Sequence, residues 1–234
     1  MSSSKYFLLF LSVLPGILIV IYIYLKDKKR PEPLGLILTS IVFGVFSTYP
    51  AIKMEEFGIY DLKVFANHDP WMVFTFSYLI VAFSEELMKY IFLRYYVFPK
   101  LAFSEPIDGI VYAVAISMGF AMMENVLYVV VRTSDFDKAL VIALSRMFTA
   151  VPAHASFAVF MGYFVGLAKF RPKFQVIYLV LGLMVPVLIH GSYDFFIFQR
   201  MSEWLSVFTI LTLVLALISS KYLIRQHEEL PHSF

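Results

Sequence analysis

The sequence predicts an all-α fold, a polytopic transmembrane helical bundle of about seven helices around a polar intramembrane cavity. Three observations carry this expectation. Hydrophobic residues make up 60% of the 234-residue chain and aromatic residues 18%, against 15% charged, and the mean hydropathy is +0.79; a single soluble core of this length cannot hide so much apolar surface. The apolar residues fall into seven long runs with short polar loops between them, as a hydrocarbon layer about 30 Å thick demands of helices that rise about 1.5 Å per residue. Several of these runs also carry titratable side chains, which must turn toward one another to avoid lipid.

The predicted spans are residues 6–25, 34–52, 71–98, 107–131, 139–168, 176–198 and 204–224. The first is read as a retained helix, because it has no small-residue cleavage site and is followed by Lys26, Lys28, Lys29 and Arg30. Little sequence is left over for a soluble domain, so residues 1–234 are read as one transmembrane domain. Lys and Arg are more numerous in the loops near residues 26–30, 94–100, 169–173 and 221–225 than in the alternate loops. The positive-inside bias then puts the amino terminus outside and the carboxyl terminus in the cytoplasm.

Composition also excludes whole classes. A net charge of +2 with scattered basic residues argues against a nucleic-acid partner. The absence of cysteine removes disulfides, thiolate metal sites and cysteine nucleophiles. No internal repeat of the kind found in transporters is visible.

With Arg94, Asp108 and Lys221 counted at the span ends, eight charged or imidazole side chains lie within the predicted spans: Glu85, Glu86, Lys89, Glu124, Arg146, His154, His190 and Asp194. At roughly 3 kcal/mol for each of the six normally charged ones, facing lipid would cost on the order of 18 kcal/mol, more than a typical folding stability. They are therefore expected to share one cavity. Glu85 and Glu86 stand four and three residues before Lys89, so all three meet on one helical face. His190 and Asp194 repeat the four-residue spacing, which lets a carboxylate orient an imidazole. Pro152 and Pro186 each remove a backbone donor near a histidine, tolerable at membrane depth where the helix lines a cavity.

A carboxylate beside a histidine in such a cavity can activate water for attack on an amide. The second histidine, with Asn125 or another donor, can stabilise the developing oxyanion. There is no His-Glu-x-x-His run and no Gly-x-Ser-Gly loop. Ser84 and Ser192 flank the key groups, but serine in a membrane helix usually bonds backbone. Three other readings stay open at this level: zinc bound by Glu85, His154 and His190, a non-catalytic scaffold, and an ion-coupled transporter. The residues His227, Glu228, Glu229 and His232 read as a solvated tail, and His68 as part of a loop.

Several motifs then follow one another in order. They are Pro31-Glu32-Pro33, Glu85-Glu86-Leu87-Met88-Lys89, Asp108-Gly109-Ile110-Val111-Tyr112, Gly119-Phe120-Ala121-Met122-Met123-Glu124-Asn125, Arg146, Val151-Pro152-Ala153-His154-Ala155, Gly162-Tyr163, and His190-Gly191-Ser192-Tyr193-Asp194-Phe195. In these the chain resembles the PrsW family of intramembrane proteases, over a core of residues 31–198. The resemblance implies kinship with the type II CaaX prenyl proteases and with the scaffold subunit of gamma-secretase. It implies Glu85 or Glu86 as catalytic base, His154 and His190 assisting, and Lys89, Glu124, Asn125, Arg146 and Asp194 in support. Asp194 stands where the prenyl proteases usually have Asn. The implied reaction is hydrolysis of a membrane-anchored protein, with an anti-sigma factor as the substrate associated with the family, in the bacterial cytoplasmic membrane. No cofactor is expected on this reading, zinc being the variant.

Overall fold

A computed structural model describes residues 3–26, 31–64, 69–199 and 201–229. Lys28, Lys29, Arg30, His68, Arg200 and His232 lie outside these. The helices are α1 (Ser3–Tyr24), α2 (Leu34–Tyr60), α3 (Pro70–Val97), α4 (Pro106–Val131), α5 (Phe136–Phe148), α6 (Ala150–Phe170), α7 (Gln175–Phe198) and α8 (Val207–Glu229). Among the described residues there is no strand. Counting α5 and α6 as one interrupted crossing, seven segments are long and apolar enough to span a membrane. The chain is an integral membrane protein built as a helical bundle.

Helix starts are written locally. Asp69 caps α3 by accepting from the Trp71 amide at 2.9 Å, with Pro70 in the first turn, where a missing amide costs nothing. Asp135 does the same for α5, accepting from the Lys138 amide at 2.8 Å. At α4, Glu105 and Asp108 cap reciprocally, and Asp108 accepts from the amides of Ser104 and Glu105 at 2.7 and 2.8 Å.

Three boundaries differ from the sequence expectation. Helix α2 continues past Ile52 to Tyr60, because Lys, Met and Glu are good helix formers and Lys53 pairs with Glu56 at 2.6 Å one turn on. The crossing expected over residues 139–168 breaks at Thr149 (φ −121°, ψ −72°), since Pro152 has no amide for the Phe148 carbonyl. The expected solvated tail is instead the end of α8. His227 is buried there, its Nδ1–H donating to the Pro106 carbonyl at 3.0 Å and its ring stacked on Tyr163. The side chains of Glu228 and Glu229 are not among those described.

Helices α4 and α6 form the centre; almost every residue of α4 from Pro106 to Met122 is buried. Lipid offers no hydrophobic force between helices, so close approach must come from small residues. At Gly109 and Gly162 the α4 and α6 backbones touch, and a Cβ on either would collide with the other's carbonyl. Gly44 meets the Ile116 carbonyl and Gly119 the Ile41 carbonyl in the same way, which locks α2 against α4. Tyr112, Phe103, Phe120 and Phe157 fill the interior. The outer helices expose Leu38, Phe46, Leu188, Leu215 and Ile218 to the acyl chains.

Candidate active site

The central segment of α3, Phe83–Phe92, is entered and left through wide π-helical turns over Thr75–Ala82 and Leu93–Val97. Such turns are frequent at functional sites. This segment brings Glu85, Glu86 and Lys89 inward, all of them at most 4% exposed. The Lys89 ammonium donates to Glu86 Oε1 at 2.8 Å, to Glu85 Oε2 at 3.4 Å and to His154 Nδ1 at 3.3 Å. It also sits 4.2 Å above the centre of the Phe120 ring, a favourable place for a cation.

The second side of the site comes from α7. His190 Nδ1 lies 2.9 Å from Glu86 Oε1, and its Nε2 lies 3.2 Å from Asp194 Oδ2, one turn further along the helix. The third side comes from α4, α5 and α6. His154 Nε2 lies 3.0 Å from Glu124 Oε2, which also accepts from Arg146 Nη2 at 2.6 Å. An ionised carboxylate only accepts, so Glu124 and Asp194 each assign a proton to the Nε2 they face and turn the corresponding Nδ1 inward. Phe157 stacks on His190 at 4.6 Å between ring centres and fixes its plane.

Outside this lies a brace to α1. Arg146 Nε donates to Asn125 Oδ1 at 2.6 Å, and Asn125 Nδ2 donates to the Ser12 carbonyl at 3.1 Å. Asn125, proposed from sequence as an oxyanion donor, thus spends its amide on the α1 backbone. Ser84 Oγ donates to the Val81 carbonyl, and Ser192 Oγ is shared between the Leu188 carbonyl and the Tyr78 hydroxyl. Neither serine is disposed as a nucleophile.

All nine residues singled out from sequence, Glu85, Glu86, Lys89, Glu124, Asn125, Arg146, His154, His190 and Asp194, fall in one connected network. The network is packed shut: Glu85, Glu86, Lys89, His154, His190 and Asp194 are each at most 7% exposed. The polar cavity expected from sequence is a closed polar cluster in this structure. At its centre, donor atoms of Glu85, Glu86, His154 and His190 all lie within 4.8 Å of one another.

One carboxylate escaped the sequence reading. Glu55, which falls beyond the expected end of the second span, lies within electrostatic reach of Glu85, Glu124, Asp194 and His190. A signal was present: Ser40, Gly44, Ser47, Thr48, Ala51 and Gly58 form the buried stripe of α2, and Glu55 falls on it at helical spacing. With Glu55 included, five carboxylates face two fixed cations, Lys89 and Arg146, leaving three excess negative charges when both histidines are neutral.

Comparison with known proteins gives the family. The family model described as PrsW family intramembrane metalloprotease matches residues 32–220, a stretch that contains every residue of the network except Ser12. Protease PrsW of Bacillus subtilis is 36% identical over 194 residues, covering 82% of this chain and 83% of that protein. Protease PrsW of Geobacillus kaustophilus is 32% identical over 188 residues, 80% and 78% of the two chains. The Halalkalibacterium halodurans protein of the same name is 30% identical over 208 residues, 89% and 91%. No solved structure matches the chain. With the family model covering most of its length and these relatives covering four-fifths or more of it, the chain belongs to the PrsW family of intramembrane proteases.

Proposed function

We propose that this protein hydrolyses a peptide bond of a membrane-anchored protein, with Glu85 as the base that activates the attacking water. The observation that carries this reading is the unequal engagement of the two glutamates. Glu86 is held by Lys89 at 2.8 Å and faces His190 at 2.9 Å, whereas Glu85 has one loose contact, Lys89 at 3.4 Å. Glu86 is thereby a fixed anchor and Glu85 a carboxylate free to take a proton. As water attacks the scissile carbonyl carbon, Glu85 accepts its proton. Lys89, and His154 when protonated, stabilise the oxyanion. The carbon–nitrogen bond then breaks and the proton passes from Glu85 to the amine, so that water's hydroxyl ends on the acyl product and its hydrogen on the new amino group.

The same residues fit a divalent metal such as zinc. His190 Nδ1 and Glu86 Oε1 are 2.9 Å apart, and two acceptors at that distance need a proton or a cation between them. Glu86 Oε2 has no hydrogen-bond partner among the described residues, and both histidines carry an orienting carboxylate on the far nitrogen. Glu85, Glu86, His154 and His190, whose donor atoms converge, would hold the ion. When bound, the ion supplies Lewis acidity to the carbonyl and makes water more acidic. Glu124 and Asp194 orient the two imidazoles in either case.

An anti-sigma factor, the substrate that the family resemblance implies, is the first candidate, with cleavage near the outer face of the cytoplasmic membrane. The test is cleavage of a panel of single-span proteins, an anti-sigma factor included, by protein reconstituted in proteoliposomes, together with its metal content. Glu85→Gln, Glu86→Gln, His154→Ala and His190→Ala should each abolish cleavage. Undiminished cleavage by all four removes the mechanism. Stoichiometric zinc with loss of activity on chelation selects the metal-assisted form, and full activity in metal-free protein selects glutamate chemistry alone.

A further inference from the structure

We propose that Glu55 is a specificity-determining carboxylate that receives a basic side chain of the substrate a few residues from the scissile bond. The inference rests on the proteolytic reading above and deepens it. Glu55 occupies the inward stripe of α2: Ala51, one turn before it, is fully buried, and Gly58, one turn after it, packs on the side chain of Ile80 in α3. It is half-buried, where the active-site groups are closed off. Glu85, Glu124, Asp194 and His190 act on it electrostatically, three carboxylates and an imidazole already engaged by Glu86 and Asp194, and the Tyr128 hydroxyl is within the same reach.

Every fixed cation within the cluster is in use. Lys89 is held by Glu85, Glu86 and His154, and Arg146 by Glu124 and Asn125. The lysine nearest to Glu55 on its own helix, Lys53, pairs with Glu56 at 2.6 Å. Among the described residues Glu55 has no hydrogen bond or ion pair. A carboxylate at membrane depth among like charges is costly unless a cation comes to it. Glu55 is not one of the four groups whose donor atoms converge within 4.8 Å, so that cation is not the candidate metal.

Depth says where the cation comes from. Glu55 lies five residues before the Tyr60 end of α2, Asp194 four before the Phe198 end of α7, and Glu124 seven before the Val131 end of α4. All three stand toward one end of the bundle, and because Gly58 packs on Ile80 of the antiparallel α3, Glu55, three residues inward of Gly58, is only about 3 Å nearer that end than Glu85, five residues inward of Ile80, at about 1.5 Å per residue. A substrate strand threading from that end passes Glu55 before its scissile bond reaches Glu85. A difference in depth of about 3 Å corresponds to about one extended residue, and the length of a Lys or Arg side chain widens this to a few. The paired rim carboxylates, Glu124 and Asp194, are spent on histidines; Glu55 alone is open to an incoming Lys or Arg.

The experiment uses a single-span reporter cleaved by the wild-type protein in proteoliposomes. Each of the five residues on either side of its cleaved bond is replaced in turn by Lys, Gln or Glu. At one of these positions Lys should exceed Gln by about tenfold in kcat/KM, mostly through KM, the scale of one partly desolvated charged hydrogen bond. Glu55→Gln should bring that ratio close to one, and Glu55→Lys should reverse the preference toward Glu. Thermal melts of both variants check the fold, and the near-isosteric Gln keeps the test valid if the Lys variant does not assemble. An unchanged Lys-to-Gln preference at every position in Glu55→Gln overturns the inference. So does an equal loss on all reporters, which would make Glu55 part of the chemistry or of the packing. Failure of the wild-type protein to cleave any reporter is a different result, and it ends the proteolytic reading itself.

Discussion

The two ends of the bundle both bury titratable groups, and they satisfy them by opposite means. At one end Asp108 accepts from the amides of Ser104 and Glu105, Lys169 donates to the carbonyls of Phe98 and Lys100, and His227 meets the carbonyl of Pro106. Tyr112 donates to Glu32 beside them. There, side chains mainly close off loop and helix-end backbone that lipid would leave unsatisfied. Toward the other end Glu85, Glu86, Lys89, Glu124, Arg146, His154, His190 and Asp194 bond almost entirely to one another. Polar groups that complete the backbone are part of the scaffold. Polar groups that face only each other, with an excess of negative charge, do nothing for the backbone and are the ones free to do chemistry.

That contrast can be broken by substitution, and the largest effect should come from the side-chain cluster. Glu85→Gln keeps the shape and removes the base, so cleavage of a reporter should fall by at least about a thousandfold, measured as initial rate per folded molecule. Next in size is Arg146→Gln. Without its guanidinium Glu124 loses its fixed position and Asn125 one of its partners, so His154 is no longer oriented. Cleavage should drop by about 10- to 100-fold, the range for losing an orienting partner, and the spacing between α1 and α4, read by cross-linking between positions near Ser12 and Asn125, should loosen.

The opposite end should respond in stability alone. Asp108→Ala removes one half of the capping box and at least two hydrogen bonds to amides, a loss of about 1 to 2 kcal/mol visible as a lower Tm in detergent. Cleavage per folded molecule should stay within about twofold of wild type. The smallest effect belongs to His227→Phe. Stacking on Tyr163 survives, the bond to the Pro106 carbonyl goes, and Nε2, which has no partner among the described residues, costs nothing to remove; the net change should be about 1 kcal/mol or less. A large loss of activity in either variant would erase the distinction between the two ends.

How much of this was legible beforehand follows the same division. Nine residues of the network could be named from sequence because intramembrane charge is so expensive that each must face inward, and with only a few helices to face they must meet. The i, i+3 and i, i+4 pairs, Glu86 with Lys89, Glu85 with Lys89, and His190 with Asp194, are fixed by helical geometry alone. Glu55 was missed despite its place on the small-residue stripe, because it lies between Lys53 and Glu56, and a charge-dense turn at the end of an apolar run reads as a loop until the helix is seen to continue. The burial of His227 was hidden for a related reason. It follows Arg225 and precedes Glu228, and only the packing of α8 on α4 and α6 shows that the helix end is covered.

The sequence by itself therefore determined the number of spans, their amphiphilic exceptions and the inward direction of the eight titratable groups it singled out, since these depend on the cost of exposing charge to lipid and on the period of the helix. Tertiary structure alone decided which nitrogen of each histidine faces inward, that Lys89 reaches His154 on another helix, that Asn125 is spent on α1, and that the cavity is closed. Those outcomes depend on distances between helices. The distances are set by backbone contacts at Gly44, Gly109, Gly119 and Gly162 and by the break at Thr149, where a shift of an ångström changes which groups touch.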